Sequence, residues 1–336
     1  MNYNQFIKPE ASGLPLNSRA KLDTGTNCQA KCSFCYYIKD LDKVTSFEVI
    51  EERINIIADK GIKEIDLSGG ESSIHEKWFD IIELCNKKFD RVSCLSNGFK
   101  FADYEFAEKS FNLGLKEIMF SLHGWDERSH DKIVGRNKAF SKIIQAIQNC
   151  HIIGIKVRLN CTVTDFNAPN MKEYAELIKT LDSTQINFLP LNYWSDASKN
   201  ETMDYETLSA GIHKAIDILK KTDIQINVRY IPFCFMKGYE KYVVGTYQHI
   251  HDLDDWNIAY YDVYEYKKSA ELTVEDYYDI AKSKINYTYT KPKDCFDCKY
   301  FDICDGIEKV LTDQKVYQVK GNKIKDPMIY RTGKRA

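Results

Sequence analysis

Residues 21–37 read KLDTGTNCQAKCSFCYY, a short strand pattern that leads directly into three cysteines. Cys28, Cys32 and Cys35 follow the spacing C-x-x-x-C-x-x-C. Three soft thiolates at this spacing suit an iron–sulfur cluster whose fourth iron has no protein ligand. The spacing leaves two other interpretations open: a structural zinc site with a distant fourth ligand, and three thiols that only pack in a core.

The composition describes a folded protein without a strong charge bias. The chain has 336 residues, 43% of them hydrophobic, which is enough for a full core. Lys and Arg number 47 against 49 Asp and Glu, so the formal net charge is -2. This near-balance gives no electrostatic reason to expect nucleic acid or an anionic membrane as a partner.

The N-terminal sequence has no signal-peptide pattern, and no apolar run reaches the roughly 18 residues of a membrane span. The sequence therefore predicts a cytoplasmic protein that does not bind a membrane. The chain has 11 cysteines, which a reducing compartment would keep as thiols. Cysteines that cluster in such a chain are expected to be metal or redox ligands rather than disulfides.

From residue 21 onward, short apolar strands alternate with amphipathic helices. The first helix is predicted in residues 45–61, after the cysteine loop. Five further strand patterns follow, in residues 62–71, 91–98, 115–124, 155–164 and 184–192. Six strands joined by right-handed helical crossovers predict an α/β protein with a partial (β/α)6 barrel of the TIM type.

The strand and helix rhythm changes after about residue 195. A helix near residues 204–221 leads to IQINVRYIPFCF, then to a stretch rich in Tyr and Asp, and finally to CFDCKYFDIC. We therefore predict three parts. They are an N-terminal segment of residues 1–20, a core barrel of residues 21–195, and a smaller C-terminal α+β extension of residues 196–336.

Polar residues and glycines stand where the predicted strands end. The second strand ends in Gly-Gly-Glu (69–71), the third in Ser-Asn-Gly (96–98), and the fourth in Ser121 and His123. In parallel barrels the carboxyl ends of the strands meet at one rim, where reactive groups lie. These residues are therefore expected to face the three-cysteine loop.

The three-cysteine loop after the first strand, Phe34 before its third cysteine, and Gly-Gly-Glu after the next strand together resemble the radical S-adenosylmethionine (radical SAM) enzymes. The resemblance covers about residues 20–195. It implies that Cys28, Cys32 and Cys35 hold a 4Fe-4S cluster whose open iron binds S-adenosylmethionine. Reductive cleavage would give methionine and a 5′-deoxyadenosyl radical that abstracts hydrogen from a substrate. A reductant such as flavodoxin or ferredoxin is implied as a partner.

The resemblance also implies contacts to S-adenosylmethionine at the strand ends. Gly69 and Gly70 would let the backbone approach the methionine ammonium, with Glu71 supporting that edge by its charge. Ser72 departs from the commonest family form, which has proline there. Weaker resemblances indicate further cofactor contacts at Asn97, Ser121 and Asn160. No residue is assigned as a catalytic base or hydrogen donor.

A second group of cysteines lies near the C-terminus. Cys295, Cys298 and Cys304 are spaced C-x-x-C-x-x-x-x-x-C, and Cys234 stands alone in IPFCF. A structural zinc site is one interpretation of these four thiols. The set also resembles the shortened auxiliary-cluster extension called twitch, a relative of the longer SPASM extension. That resemblance implies one auxiliary 4Fe-4S cluster with Cys234 as the fourth ligand.

For the substrate, the sequence favours a small polar metabolite of the sugar or nucleoside type, changed by oxidation, epimerisation or rearrangement. Only about 20 residues precede the first strand, too few for an independent leader-peptide domain. The alternative is a maturase of a ribosomal peptide that uses a separate leader-binding partner. A third hypothesis of another class is a non-catalytic iron–sulfur or zinc protein that acts as an electron carrier or scaffold.

Overall fold

A computed structural model describes residues 14–192, 204–253, 258–260, 262 and 272–331. Eight parallel strands form one sheet in the order β7-β6-β5-β4-β3-β2-β1-β8. They are β1 (Arg19–Asp23), β2 (Glu64–Ser68), β3 (Arg91–Ser96), β4 (Leu115–Ser121), β5 (Lys156–Val163), β6 (Gln185–Pro190), β7 (Gln225–Val228) and β8 (Ile258–Ala259). A separate antiparallel pair consists of β9 (Tyr289–Thr290) and β10 (Ile307–Glu308).

Helices connect the strands of the large sheet. They are α1 (Phe47–Asp59), α2 (Trp78–Lys88), α3 (Tyr104–Asn112), α4 (Glu127–Val134), α5 (Ala139–Ile153), α6 (Met171–Ile178), α7 (Tyr205–Leu219), α8 (Thr246–His249) and α9 (Val274–Thr288). Among the described residues, no helix is long and apolar enough to cross a bilayer.

Side-chain contacts across the sheet show that it is curled. Neighbouring strands lie about 4.8 Å apart, so three steps across a flat sheet would span roughly 14 Å. Arg19 on β1 nevertheless lies 3.0 Å from Glu117 on β4, measured from guanidinium nitrogen to carboxylate oxygen. Arg158 on β5 lies 3.8 Å from Asp66 on β2. The sheet is therefore a partial barrel, and these four side chains face its concave interior.

The buried charges of the interior compensate one another. Burial disfavours a charged Glu117, but the nearby charges of Arg158 and Arg19 hold its pKa below the usual value. Arg158 Nη2 lies 2.6 Å from Glu117 Oε1. This network fills the barrel at the end away from the strand carboxyl termini.

The convex face of the sheet is apolar and packs against the helices. Ala20 and Leu22 alternate with Arg19 and Lys21 along β1, as the period of two of a strand requires. Both are fully buried in one hydrophobic cluster, together with the inward face of α1 (Ile50, Ile54 and Ile57). Burial of these apolar side chains between the sheet and the helices holds each helix against the sheet.

Helix α4 shows how local sequence sets the ends of an element. Asp126 accepts a hydrogen bond from the Ser129 N–H, and the Ser129 hydroxyl accepts one from the Asp126 N–H, which forms a capping box. At the other end, Gly135 has a φ of 64°, the left-handed conformation in which glycine commonly ends a helix. The capping signals thus place the end of α4 beside the cysteine loop.

The six predicted parallel strands are confirmed, as is the partial α/β barrel. The structure adds two strands to the same sheet, with β7 pairing with β6 and β8 pairing with β1. Both strands come from residues that the sequence assigned to the C-terminal extension. The boundaries of the three parts at residues 20 and 195 stay a prediction.

Candidate active site

The three-cysteine loop begins directly after β1 and is fixed by backbone hydrogen bonds to other segments. The Lys31 N–H donates to the Val134 carbonyl at the end of α4, at 2.9 Å, and the Cys28 N–H donates to the Leu41 carbonyl, at 3.1 Å. Cys28 and Cys32 also pack against a small buried cluster of Ala30, Phe99, Val134 and Ala139. The loop is therefore anchored both to α4 and to the segment that leads from the loop to α1.

The Gly-Gly-Glu turn after β2 packs directly on the backbone of this loop. The Gly70 N–H donates to the Gly25 carbonyl at 3.0 Å, and the Glu71 N–H donates to the Asn27 carbonyl at 2.8 Å. A Cβ atom on Gly70 would lie 2.2 Å from the Thr26 carbonyl oxygen. A side chain at this position cannot fit, so the close approach of two backbones accounts for the glycine.

Glu71 joins the turn to the end of β3. Its buried carboxylate accepts hydrogen bonds from the Asn97 N–H at 2.7 Å, from the Ser96 hydroxyl at 2.9 Å, and from the Ser73 hydroxyl. Burial raises the pKa of Glu71, and these hydrogen bonds act in the opposite direction. Glu71 thus ties the ends of β2 and β3 together beneath the cysteine loop.

Asn97 contacts the first cysteine. Its side-chain Nδ2 donates to Cys28 Sγ at 3.7 Å, and its Oδ1 accepts from the Phe99 N–H at 3.1 Å. The second bond fixes the side chain so that its NH₂ group points at the sulfur. The predicted site residues at the ends of β2 and β3 therefore converge on Cys28.

Burial raises the pKa of all three thiols. Burial first, and then the charge of Glu71, raises the pKa of Cys28 to about 11. The pKa of Cys32 is raised by burial and then by the charges of Cys35 and Cys28. Burial also raises the pKa of Cys35. Thiols grouped in this way become ligands as thiolates when a positive partner offsets their charge, which the irons of a cluster supply.

Within the described parts of the chain, no three His, Cys, Asp or Glu side chains are arranged to hold a single metal ion. A tetrahedral zinc ion needs sulfurs about 4 Å apart, because each Zn–S bond is about 2.3 Å long. A 4Fe-4S cluster binds each thiolate through a different iron, so its thiols stand farther apart. Cys28, Cys32 and Cys35 fit such a cluster by their number and softness, with one iron left for another ligand.

Ser121 and Asn160, predicted separately from two strands, are neighbours. They are paired residues of β4 and β5 and therefore point to the same face. Asn160 is paired in turn with Asn187 of β6, and Asn187 with Asn227 of β7. The Asn227 amide donates to Asn187 Oδ1 at 3.0 Å. We call Asn160, Asn187 and Asn227 the amide row, a set of polar side chains on three neighbouring strands of the sheet.

The second group of cysteines also comes together. Cys234, Cys295, Cys298 and Cys304 line one cavity. Burial, and then the charges of Cys304, Cys295 and Cys298, raises the pKa of Cys234. The structure thus places the isolated cysteine beside the other three, and its role as the fourth ligand stays a prediction. The same cavity contains one lysine, Lys291, whose charge acts against the raised pKa of Cys295 and Cys304.

Part of the Tyr- and Asp-rich stretch of residues 239–266 lies outside the described residues, namely 254–257, 261 and 263–266. Within the described part, Tyr247 and Ile250 are buried in the core.

Comparison with known families identifies the kind of domain that contains the first cysteine site. Residues 22–181 match the family model of the Radical SAM superfamily. The chain carries a radical SAM domain. The match begins within β1 and ends after α6, so it includes the cysteine loop and the strand ends that surround it.

Curated proteins with different printed names are similar to this chain. The sporulation killing factor maturation protein SkfB of Bacillus subtilis strain 168 is 26% identical over 171 residues, covering 49% of this chain and 40% of SkfB. The GTP 3′,8-cyclase of Aquifex aeolicus strain VF5 is 26% identical over 166 residues, covering 47% of this chain and 51% of the cyclase. The aligned regions thus span about half the length of these curated relatives.

Among solved structures, Streptococcus suis SuiB bound to its precursor peptide SuiA has the same fold, with a TM-score of 0.61 and 14% identity. The match covers 92% of this chain and 76% of SuiB. It therefore extends beyond the radical SAM domain into the C-terminal region.

His123 is a site residue that the sequence left unassigned. Its ring meets Phe34 of the cysteine loop edge to face, with 5.0 Å between centroids. Its Nδ1 accepts a hydrogen bond from the Thr162 N–H at 3.1 Å, so the proton of the neutral ring is on Nε2. Burial, and then the charge of His130, lowers the pKa of His123 to about 3. His123 thus supports the radical SAM loop as a neutral side chain.

We expect the protein to lose stability as the pH falls below about 6.5, because His123 and His130 are buried as neutral rings. Burial lowers the pKa of His130 to about 4. The unfolded chain binds these protons near pH 6.5 and the folded chain does not, so stability is present above that pH. Each imidazole contributes a loss of about 1.4 kcal/mol per pH unit. Urea unfolding at pH 7, 6 and 5 measures the slope.

The control for this prediction is His130→Asn, which keeps a hydrogen-bond acceptor for the backbone N–H of His123 and cannot titrate. The slope of unfolding free energy against pH should fall by about 1.4 kcal/mol per unit in the variant. An unchanged slope would show that His130 is not buried as a neutral ring.

Proposed function

We propose that this protein is a radical SAM enzyme whose cluster is held by Cys28, Cys32 and Cys35. The observation that carries the proposal is the convergence of the Gly-Gly-Glu turn and Asn97 on the cysteine loop, within a domain that matches the family. When bound, the reduced cluster supplies one electron that splits a C–S bond of S-adenosylmethionine and generates a radical able to remove hydrogen from a substrate.

The chain's own residues position these groups. Glu71 and Gly70 fix the position of the cysteine loop relative to the ends of β2 and β3 through hydrogen bonds. Asn97 donates a hydrogen bond to Cys28, which stabilises a thiolate at that sulfur. Ser121 and Asn160 supply adjacent polar groups at the same rim, where we propose that they contact the nucleoside of S-adenosylmethionine.

For the substrate we propose a peptide. The support is the sequence similarity to the sporulation killing factor maturation protein SkfB, 26% identical over 171 residues, together with the fold shared with SuiB in complex with SuiA. The small polar metabolite is the second candidate, and the similarity to GTP 3′,8-cyclase supports it.

Two measurements test the activity. The protein is purified without oxygen, reconstituted, and assayed for iron, sulfide and 5′-deoxyadenosine after reduction with dithionite in the presence of S-adenosylmethionine. We expect 5′-deoxyadenosine and about eight irons per chain. Iron without 5′-deoxyadenosine would favour an electron carrier, and a folded protein with neither would overturn the proposal.

The substrate class is tested by deuterium transfer. An extract of cells grown in deuterated medium is divided into a peptide fraction and a small-molecule fraction, and each is added to the assay. Hydrogen abstraction from the substrate would place deuterium in 5′-deoxyadenosine. We expect labelling from the peptide fraction, and its loss after protease treatment. Labelling only from the protease-resistant small-molecule fraction would reverse the order of the two candidates.

We also propose that Cys234, Cys295, Cys298 and Cys304 hold an auxiliary 4Fe-4S cluster in a twitch-like extension. Four thiols in one cavity leave no iron open, which suits electron transfer rather than substrate binding. The Gly306 N–H donates to Cys304 Sγ at 3.4 Å, a hydrogen bond that stabilises a thiolate or a cluster sulfur ligand.

We expect Cys298→Ala to lower the iron content from about eight to about four per chain, because a closed cluster needs all its thiolate ligands. Dithionite-driven cleavage of S-adenosylmethionine should continue, since the first cluster keeps its three cysteines. Iron analysis and electron paramagnetic resonance of the reduced protein measure the change. Unchanged iron in the variant would rule out the auxiliary cluster.

A further inference from the structure

A charged groove runs along the surface beside the cysteine loop. It is formed by the exposed side of α4 and the residues that follow this helix, and its lining includes Arg128, Lys132 and Arg136 together with Glu127 and Asp131. The three basic side chains are all exposed.

The groove borders the loop that holds the proposed cluster. The Ser33 N–H donates to the Ile133 carbonyl at 3.1 Å. A Cβ atom on Gly135, which lines the groove, would lie 3.2 Å from the Lys31 Cβ atom. Lys31 stands between Cys28 and Cys32, and its side chain is exposed. An electron that enters at this groove therefore reaches the cysteine loop across a single layer of residues.

The charge of this surface is opposite to that of the whole chain. We call Lys31, Arg128, Lys132, Arg136 and Lys138 the basic patch, and Asp126, Glu127 and Asp131 are the carboxylates of α4 and its N-cap beside them. The Asp131 carboxylate accepts hydrogen bonds from the Lys138 and Phe140 N–H groups at the start of α5, which partly compensate its negative charge. The chain as a whole has a net charge of -2.

We propose that the basic patch is the docking surface for an acidic electron-carrier protein of the flavodoxin type. The inference rests on the proposed function, because only a redox site needs an electron donor at its nearest surface. Complementary charge steers such partners to the correct surface and raises the association rate. Complexes that transfer electrons are small and transient, so one helix face and one loop are sufficient for the contact.

The test compares a protein reductant with a chemical one. The double variant Arg128→Glu/Lys132→Glu reverses two exposed charges on α4 and leaves the cysteine loop unchanged. At low ionic strength we expect the apparent KM for reduced flavodoxin to rise on the order of tenfold. Formation of 5′-deoxyadenosine with dithionite should stay within about twofold of the unaltered protein, since dithionite is small and needs no docking surface.

The matched control is Lys87→Glu/Lys88→Glu, which changes the net charge equally on the exposed end of α2. This control should keep the KM for flavodoxin. High salt should remove most of the difference between the α4 variant and the unaltered protein, because it screens exposed charges.

An unchanged KM for flavodoxin in the α4 variant, or an equal rise in the α2 control, would overturn the docking proposal. An equal loss with both reductants would also overturn it, because the patch would then serve the substrate or the site itself. The proposed function fails separately, when the unaltered protein forms no 5′-deoxyadenosine with dithionite.

Discussion

Cys28→Ala, Cys32→Ala and Cys35→Ala are each expected to abolish cleavage of S-adenosylmethionine. Each thiolate holds a different iron of the proposed cluster, and no fourth cysteine of this loop can replace it. Loss of one direct ligand should lower 5′-deoxyadenosine formation by more than about a hundredfold, since even an indirect partner of a ligand costs 10- to 100-fold. The measurements are 5′-deoxyadenosine after reduction with dithionite and iron per chain.

Cys85→Ala is the control for the general effect of removing a thiol. Cys85 is fully buried in α2 and packs in the main hydrophobic core, away from the loop. Its loss should cost roughly 1 kcal/mol of stability and leave cleavage intact. Full activity in any of the three loop variants would contradict the assignment of these cysteines to a cluster.

The strands of the barrel could be predicted because their two faces differ. In β1, Ala20 and Leu22 point to the helices, and the alternate residues Arg19, Lys21 and Asp23 are polar and face the concave interior. The edge strands were harder to predict. Strand β7 has four residues and β8 has two, so neither provides a long enough pattern to be assigned to the sheet. Only their pairing with β6 and β1 reveals their place.

The site was predictable to the extent that its residues are close in sequence or stand at strand ends. The spacing of three cysteines and the Gly-Gly-Glu turn are local signals. The contact between His123 and Phe34 is not, because it depends on the fold bringing residues together that are far apart in sequence. The hydrogen bond from the Thr162 N–H, which fixes the ring of His123, is also long-range.

The Gly-Gly-Glu turn illustrates a signal whose physical cause the sequence did not reveal. The sequence explained these glycines by the approach of a cofactor. The structure shows a protein contact at the same place: Cβ atoms on Gly69 and Gly70 would each lie 2.2 Å from a backbone oxygen of residues 24–27, the segment before Cys28.

Gly70→Ala is therefore expected to remove most of the activity although it adds one methyl group. The new Cβ would lie 2.2 Å from the Thr26 carbonyl oxygen and 2.4 Å from the Asn27 carbonyl oxygen, and backbone atoms cannot move aside as a flexible side chain would. The turn and the loop must separate, which breaks the Gly70 and Glu71 backbone hydrogen bonds and moves Cys28 away from Asn97. We expect loss of iron from the first site and at least a tenfold fall in 5′-deoxyadenosine formation. The variant should also lose about 1–3 kcal/mol of stability.

Gly154→Ala is the control for the general cost of replacing a glycine, because it creates no contact like that of Gly70→Ala with the cysteine loop. Gly154 ends α5 with a φ of 93°, and a Cβ there would have no atom within 4 Å. Its replacement should cost about 1 kcal/mol through backbone strain alone and leave iron and cleavage unchanged. If Gly70→Ala kept its iron and its activity while losing a similar amount of stability, the turn would support the fold without positioning the cysteine loop. Loss of iron in Gly70→Ala alone would establish that one backbone contact holds the site together.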